Sequence, residues 1–84
     1  MAKKNMPKLP VVTGKKLIKI LKKCGYVIDY IHGSHHILIN TKGKRVTIPV
    51  HGNKEIPTGT LLGILSDCDI SKKAFVLMIK NQIN

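Results

Sequence analysis

A chain of 84 residues can close one modest core and has no material for a second, so residues 1–84 are expected to form a single domain. Fifteen Lys and Arg against four Asp and Glu give a formal net charge of +11, more than solubility requires. The excess points to a polyanion, with nucleic acid first and an anionic membrane or an acidic protein next. Lys interrupts every long apolar run, so no stretch resembles a membrane span or a signal peptide, and the cytoplasm is the expected compartment.

Residues 1–12, with Lys3, Lys4, Lys8, Pro7 and Pro10, read as an extended, partly disordered basic lead-in. Thr13 is a plausible N-cap for a helix running to Cys24, with Gly25 as its C-cap. Leu17, Ile18, Ile20, Leu21 and Cys24 fall on one side of that helix. Lys15, Lys16, Lys19, Lys22 and Lys23 fill an arc of roughly 120° on the other side. A lysine face alone is ordinary solvation; joined to the net charge it becomes a candidate phosphate-tracking surface.

After Gly25 the pattern shifts to β-branched and aromatic residues. Residues 26–31 read as a strand, His32-Gly33-Ser34 as a turn and residues 35–40 as a second strand. Thr41-Lys42-Gly43-Lys44 forms the next turn, and residues 45–50 a third strand that Pro49 marks as an edge. Beyond a loop at 51–57, Thr58 or a neighbour can cap a helix carrying Leu61, Leu62, Ile64, Leu65 and Cys68, weakened by Gly59 and Gly63. Ser71 offers an N-cap for a short last helix with Ala74, Phe75, Leu77 and Met78, and residues 81–84 are expected to fray. The class is α+β, a three-stranded antiparallel sheet with helices on one face and the other face free for a partner. Cys24 and Cys68 form no Cys-x-x-Cys pair and read as buried free thiols, not as a disulfide.

Three of the four histidines lie within five positions, at His32, His35 and His36. An imidazole takes and gives protons near neutrality. In RNA cleavage a base removes the 2′-OH proton for attack on the adjacent phosphate, and an acid protonates the leaving 5′-oxygen. Lysines stabilise the charge that develops, and no metal is required. Strand alternation prevents His35 and His36 from facing one substrate together, so one of them is supportive. A zinc site from His32, His35 and His51 lacks a fourth ligand of the right type nearby. A purely structural role, capping the turn, competes evenly with a functional one. No Ser-His-Asp set, P-loop or Rossmann fingerprint is present, and the carboxylates Asp29, Glu55, Asp67 and Asp69 are too scattered for a glycosidase or a metal nuclease.

The order of several segments carries a resemblance: Lys8-Leu9-Pro10-Val11-Val12-Thr13-Gly14-Lys15, then Gly25-Tyr26, then Gly33-Ser34-His35-His36, then residues 42–55, then Gly59-Thr60-Leu61 and Ile64-Leu65. Over nearly its whole length the chain resembles the HicA toxins, the messenger-RNA-cleaving members of HicA–HicB toxin–antitoxin pairs. The resemblance implies an α-β-β-β-α fold similar to the double-stranded-RNA-binding domain. It also implies endoribonuclease activity without a metal or other cofactor, arrest of translation, and inhibition by a HicB-like antitoxin that covers the active surface. The family's catalytic histidine lies in a Gly-Ser-x-His region, which on this chain offers His35 and His36; His35, which follows the turn immediately, is the expected general base or acid and His36 its support, a slip of one residue in the alignment transferring the role to His36. Gly33 would allow close approach of the RNA and Ser34 would donate to a phosphate, with Lys15, Lys19, Lys42, Lys44 and Arg45 as further RNA-binding candidates. Two departures stand out: His32 occupies a position commonly basic in the family, and Pro57-Thr58-Gly59-Thr60 stands where many relatives read Lys-Pro-Gly-Thr. A non-catalytic RNA-binding module and a basic protein that only binds an acidic partner are the competing classes.

Overall fold

A computed structural model describes residues 9–83. The elements are α1 (Gly14–Lys23), β1 (Val27–His32), β2 (His35–Ile39), β3 (Arg45–Pro49), α2 (Thr58–Asp67) and α3 (Lys72–Ile83), an α+β fold in the order α-β-β-β-α-α. The sheet is an antiparallel meander ordered β1-β2-β3, so β3, which contains Pro49, is an edge strand as its sequence suggests.

Local chemistry sets the helix ends. Thr13 Oγ1 accepts from the Lys16 amide at 3.2 Å and starts α1. At the other end Gly25 adopts φ +96°, and the amides of Gly25 and Tyr26 return to the carbonyls of Lys22 and Leu21. That is a Schellman closure, and it tucks Tyr26 into the core. The end of α2 repeats it, with Asp69 at φ +57° in the left-handed position and the Ile70 amide on the Leu65 carbonyl. Ser71 caps α3 as expected, its Oγ accepting from the Ala74 amide at 3.0 Å.

Several expectations are corrected. The cap position of α2 falls to Pro57, the neighbour of Thr58, and no side chain bonds there as a capping residue would. The last helix, expected to be short and to fray from residue 81, is the longest of the three and runs through Ile83, because Phe75, Met78 and Ile79 anchor it to the core. Within the supposed lead-in, residues 1–8 lie outside the described residues. Val12, by contrast, is buried, and its carbonyl accepts from the Ile56 amide at 2.8 Å. Thr13 also bridges Glu55, which stitches the start of α1 to the loop before α2. Cys24 is exposed and Cys68 half-buried, so the thiols are free but not both interior. No described helix is long and apolar enough to cross a membrane.

One core lies between the helices and a single face of the sheet. Leu17, Ile20, Leu21, Leu38, Ile48, Leu61 and Phe75 are fully buried within it. Residues opposite one another in an antiparallel ladder share a face. The register sets Leu38 opposite Val46 and His36 opposite Ile48, so these four point toward the helices. His35, Ile37, Ile39, Arg45, Thr47 and Pro49 point to the open face. A bulge at Asp29 shifts β1 by one residue against β2.

Candidate functional site

The conspicuous histidines sit at one end of the sheet. Gly33 and Ser34 form a two-residue turn between β1 and β2, closed by the His32–His35 pair. Gly33 takes φ +60° at the first turn position, the conformation a type II′ hairpin demands and glycine supplies without strain. The Val50 amide donates to the Ser34 carbonyl at 2.7 Å, fastening the turn to the end of β3.

Alternation then separates the two neighbours as anticipated. His35 is exposed on the open face, between His32 and Pro49 across the ladder. His36 is half-buried on the helix side, between Ile31 and Ile48. Its Nδ1 is buried and finds no hydrogen-bond partner, the only side-chain polar atom so placed among the described residues. An orphaned buried acceptor or donor costs about 1–3 kcal/mol. In native proteins such an atom calls for an explanation, of which a chemical role or a bound water is the usual one.

The start of α1 is pressed against the same end. A Cβ on Gly14 would fall on the Pro49 carbonyl and lie 2.9 Å from Val50 Cγ2, so only glycine fits. Gly14 therefore brings α1 against the two residues that hold the turn: Pro49 pairs with His35, and Val50 bonds Ser34. Lys15 and Lys16 follow at once. Thr13, Lys15, Lys16 and Lys19 line an open cleft of about 420 Å³.

The remaining predicted cations lie elsewhere. Lys42 and Lys44 sit on the β2–β3 hairpin, where Asn40 Oδ1 accepts from both of their amides at 2.9 Å. That hairpin is at the far end of β2, about 13 Å from His35 at ~3.3 Å per residue. Arg45, the further RNA-binding candidate, is engaged through its Nε, which donates to Asp29 Oδ2 at 2.8 Å across the open face. The lysine side of α1, a helix about 15 Å long, runs between the two ends and joins them.

Two features escape sequence reasoning. Pro49, His51, Lys54, Glu55, Ile56, Pro57 and Thr60 line a cleft of about 280 Å³ beside α2; His51 was visible as a histidine, but the cleft it lines forms only on folding. At the hairpin end Tyr26, Cys68, Cys24, Asn40 and Lys42 line a larger recess of about 530 Å³. There a hydrogen bond to Cys68, together with burial, pushes the Tyr26 phenol up to about 12. Burial also raises both thiols, so neither is a ready thiolate. Among the described residues no three His, Cys, Asp or Glu side chains are grouped to hold a metal ion, so His32, His35 and His51 do not form the zinc set considered above.

Comparison with known families adds one finding. The model of the HicA toxin of bacterial toxin–antitoxin systems matches residues 14–70, from the first residue of α1 to the residue that closes α2. The match covers more than half of the chain and leaves α3 outside it. No curated protein matches the chain.

Proposed function

The chain belongs to the HicA toxin family, and on that premise we propose that it is an endoribonuclease that cleaves messenger RNA by histidine acid–base catalysis, without a metal cofactor. A toxin of this kind implies an antitoxin partner, here a HicB-like protein that covers the turn end of the sheet. The observation that carries the reading is the orphaned Nδ1 of His36, held beside a turn that is fastened to the lysine-bearing start of α1.

Of the two motif histidines, His36, in place of the His35 expected from the sequence, has the better support as the proton-transfer group. It is the histidine of Gly33-Ser34-x-His36, it is half-buried between Ile31 and Ile48 in the ladder, and it lies on the helix side with α1. His35 is free to rotate in solvent on the opposite face and serves RNA contact with His32. In the reaction the ring of His36 takes the 2′-OH proton or delivers one to the departing 5′-oxygen. Lys15 and Lys19 attract the phosphates and offset the charge that builds on the attacked group. Gly33, lacking a side chain and with open space where a Cβ would point, lets the backbone approach. Lys42 and Lys44 extend the cationic track toward the far end.

The competing reading is a non-catalytic RNA-binding module. It is favoured by one feature: among the described residues no carboxylate or second imidazole hydrogen-bonds to His35 or His36 to orient it. The test is purified protein with RNA in EDTA, comparing wild type with His35→Ala and His36→Ala. His36→Ala is expected to slow cleavage by about 10²–10⁴-fold, with unchanged circular dichroism, and His35→Ala to slow it less. Equal, full cleavage by both variants would sink the catalytic assignment. RNA that is retarded in a salt-dependent manner but never shortened would select the binding module.

A further inference from the structure

β1 is the strand in which every residue is exposed. It is an edge of the sheet, and the helices pack on β3, leaving it uncovered. Its side chains are therefore open on both faces, with Val27 (59% exposed) and Tyr30 (54%) on the open face, and Ile28 (38%) and Ile31 (55%) on the helix side. Of the six large apolar side chains exposed among the described residues, these are four. Edge strands are ordinarily protected by Lys, Pro, extreme shortness or a bulge; Val27–His32 has no Lys or Pro, and the bulge at Asp29 is the protection it carries.

The charge distribution singles out the same strand. In a chain with fifteen Lys and Arg, residues 24–41 contain none. The one acidic group of the strand, Asp29, is paired with Arg45. A polyanion or a strongly acidic protein gains most on the lysine side of α1 and gains nothing from a neutral apolar strip. Two copies at +11 each repel through their lysine faces, whereas β1 itself carries no Lys or Arg and the cation bonded to it, Arg45, is paired with Asp29.

We propose that β1 is a self-association surface, on which a second copy of this chain docks its own β1, antiparallel about a two-fold axis. With the axis between Asp29 and Tyr30, Ile28 of one copy lies opposite Ile31 of the other, twice, on the helix side of the joined sheet. Val27 then lies opposite His32 on the open face. The pairing gives partners to the unpaired outer backbone groups of β1 and covers its apolar side chains. Arg45 keeps the two central Asp29 carboxylates from meeting as bare like charges. One short strand and its neighbours cover less than the ~800 Å² per partner of a standard interface, so the dimer is a weak one, with Kd on the order of 100 µM. The surface is independent of the nuclease reading.

Sedimentation velocity on nuclease-treated full-length protein, from about 10 µM to about 1 mM, tests the proposal. Wild type is expected to shift from monomer to dimer. Ile28→Glu and Ile31→Lys, both at exposed sites and folded by circular dichroism, are each expected to weaken the dimer more than about tenfold. An equal mixture of the two variants restores it, since one Glu–Lys pair and one Ile–Ile pair then face each other. A wild type that stays monomeric at about 1 mM, association that occurs only when RNA is added, or variants that dimerise like wild type would each overturn it.

Discussion

Gly14→Ala is the most informative single substitution for the link between fold and site. In an open helix position, replacing Gly with Ala stabilises by roughly 0.5–1 kcal/mol. At Gly14 the added methyl meets the Pro49 carbonyl and the Val50 side chain, and the main-chain atom cannot move aside as a flexible side chain would. Forcing one methyl into such a contact costs about 1–3 kcal/mol. For a domain of this size each kcal/mol shifts Tm by about 4–8 °C, so a fall of about 4–24 °C is expected by calorimetry. Gly63→Ala is the control: it too lies within a helix, nothing stands within 4 Å of its Cβ direction, and a rise of a few degrees is expected. Because Pro49 and Val50 hold the turn, the displacement of α1 in Gly14→Ala is also expected to lower RNA cleavage at temperatures where the variant is folded. A Gly14→Ala protein as stable as the Gly63→Ala control would refute the close approach of α1 to β3, and with it the argument that joins Lys15 to the histidine turn.

Phe75 is fully buried on a helix outside the family match, and Phe75→Ala is expected to cost about 3–5 kcal/mol, enough to unfold much of the population in a urea titration. Asp69→Gly removes a side chain from the left-handed position that ends α2 and should raise the urea midpoint by the equivalent of about 1 kcal/mol. The folded-state pKa of Tyr26, about 12, lies above the ordinary value of 10.0, so its contribution is complete below pH 10 and is lost as pH rises from 10 to 12. Tyr26→Phe should flatten that part of the stability–pH curve, and a curve identical to wild type would count against the Cys68 contact. Arg45→Gln breaks an ion pair whose side chains are 58% and 30% exposed, so its effect on stability is expected below about 1 kcal/mol. RNA affinity measured by fluorescence anisotropy should change less than for Lys15→Gln, because Arg45 is already engaged.

The element order and most boundaries were legible because local rules govern them. Thr13 and Ser71 each cap through a hydroxyl three residues ahead of the bonded amide. Gly25 ends α1, and Gly33 and Gly43 turn the chain at positive φ. Where the reading went astray, long-range packing decided. The length of α3 follows from the seat that the core offers Phe75, Met78 and Ile79, and the anchoring of Val12 follows from a bond to Ile56 far along the chain. At the site the sequence made the histidine pair conspicuous, and period-two alternation split it correctly between two faces. Nothing in the sequence places Arg45 against Asp29, since their approach spans the whole sheet.

What the sequence by itself determined is everything that depends on residue type and short spacing: the excess of positive charge, the amphipathic first helix, the glycine turn with its two imidazoles, and the family. What only the tertiary structure decided is which of these meet. Gly14 brings the lysine helix to the turn by lacking a side chain, His36 acquires an unpartnered nitrogen from its place beside Ile31 and Ile48, and β1 keeps its apolar side chains because the helices pack on the opposite edge of the sheet. Each of these is a contact between residues distant in sequence, and short-range pattern carries no term for such contacts.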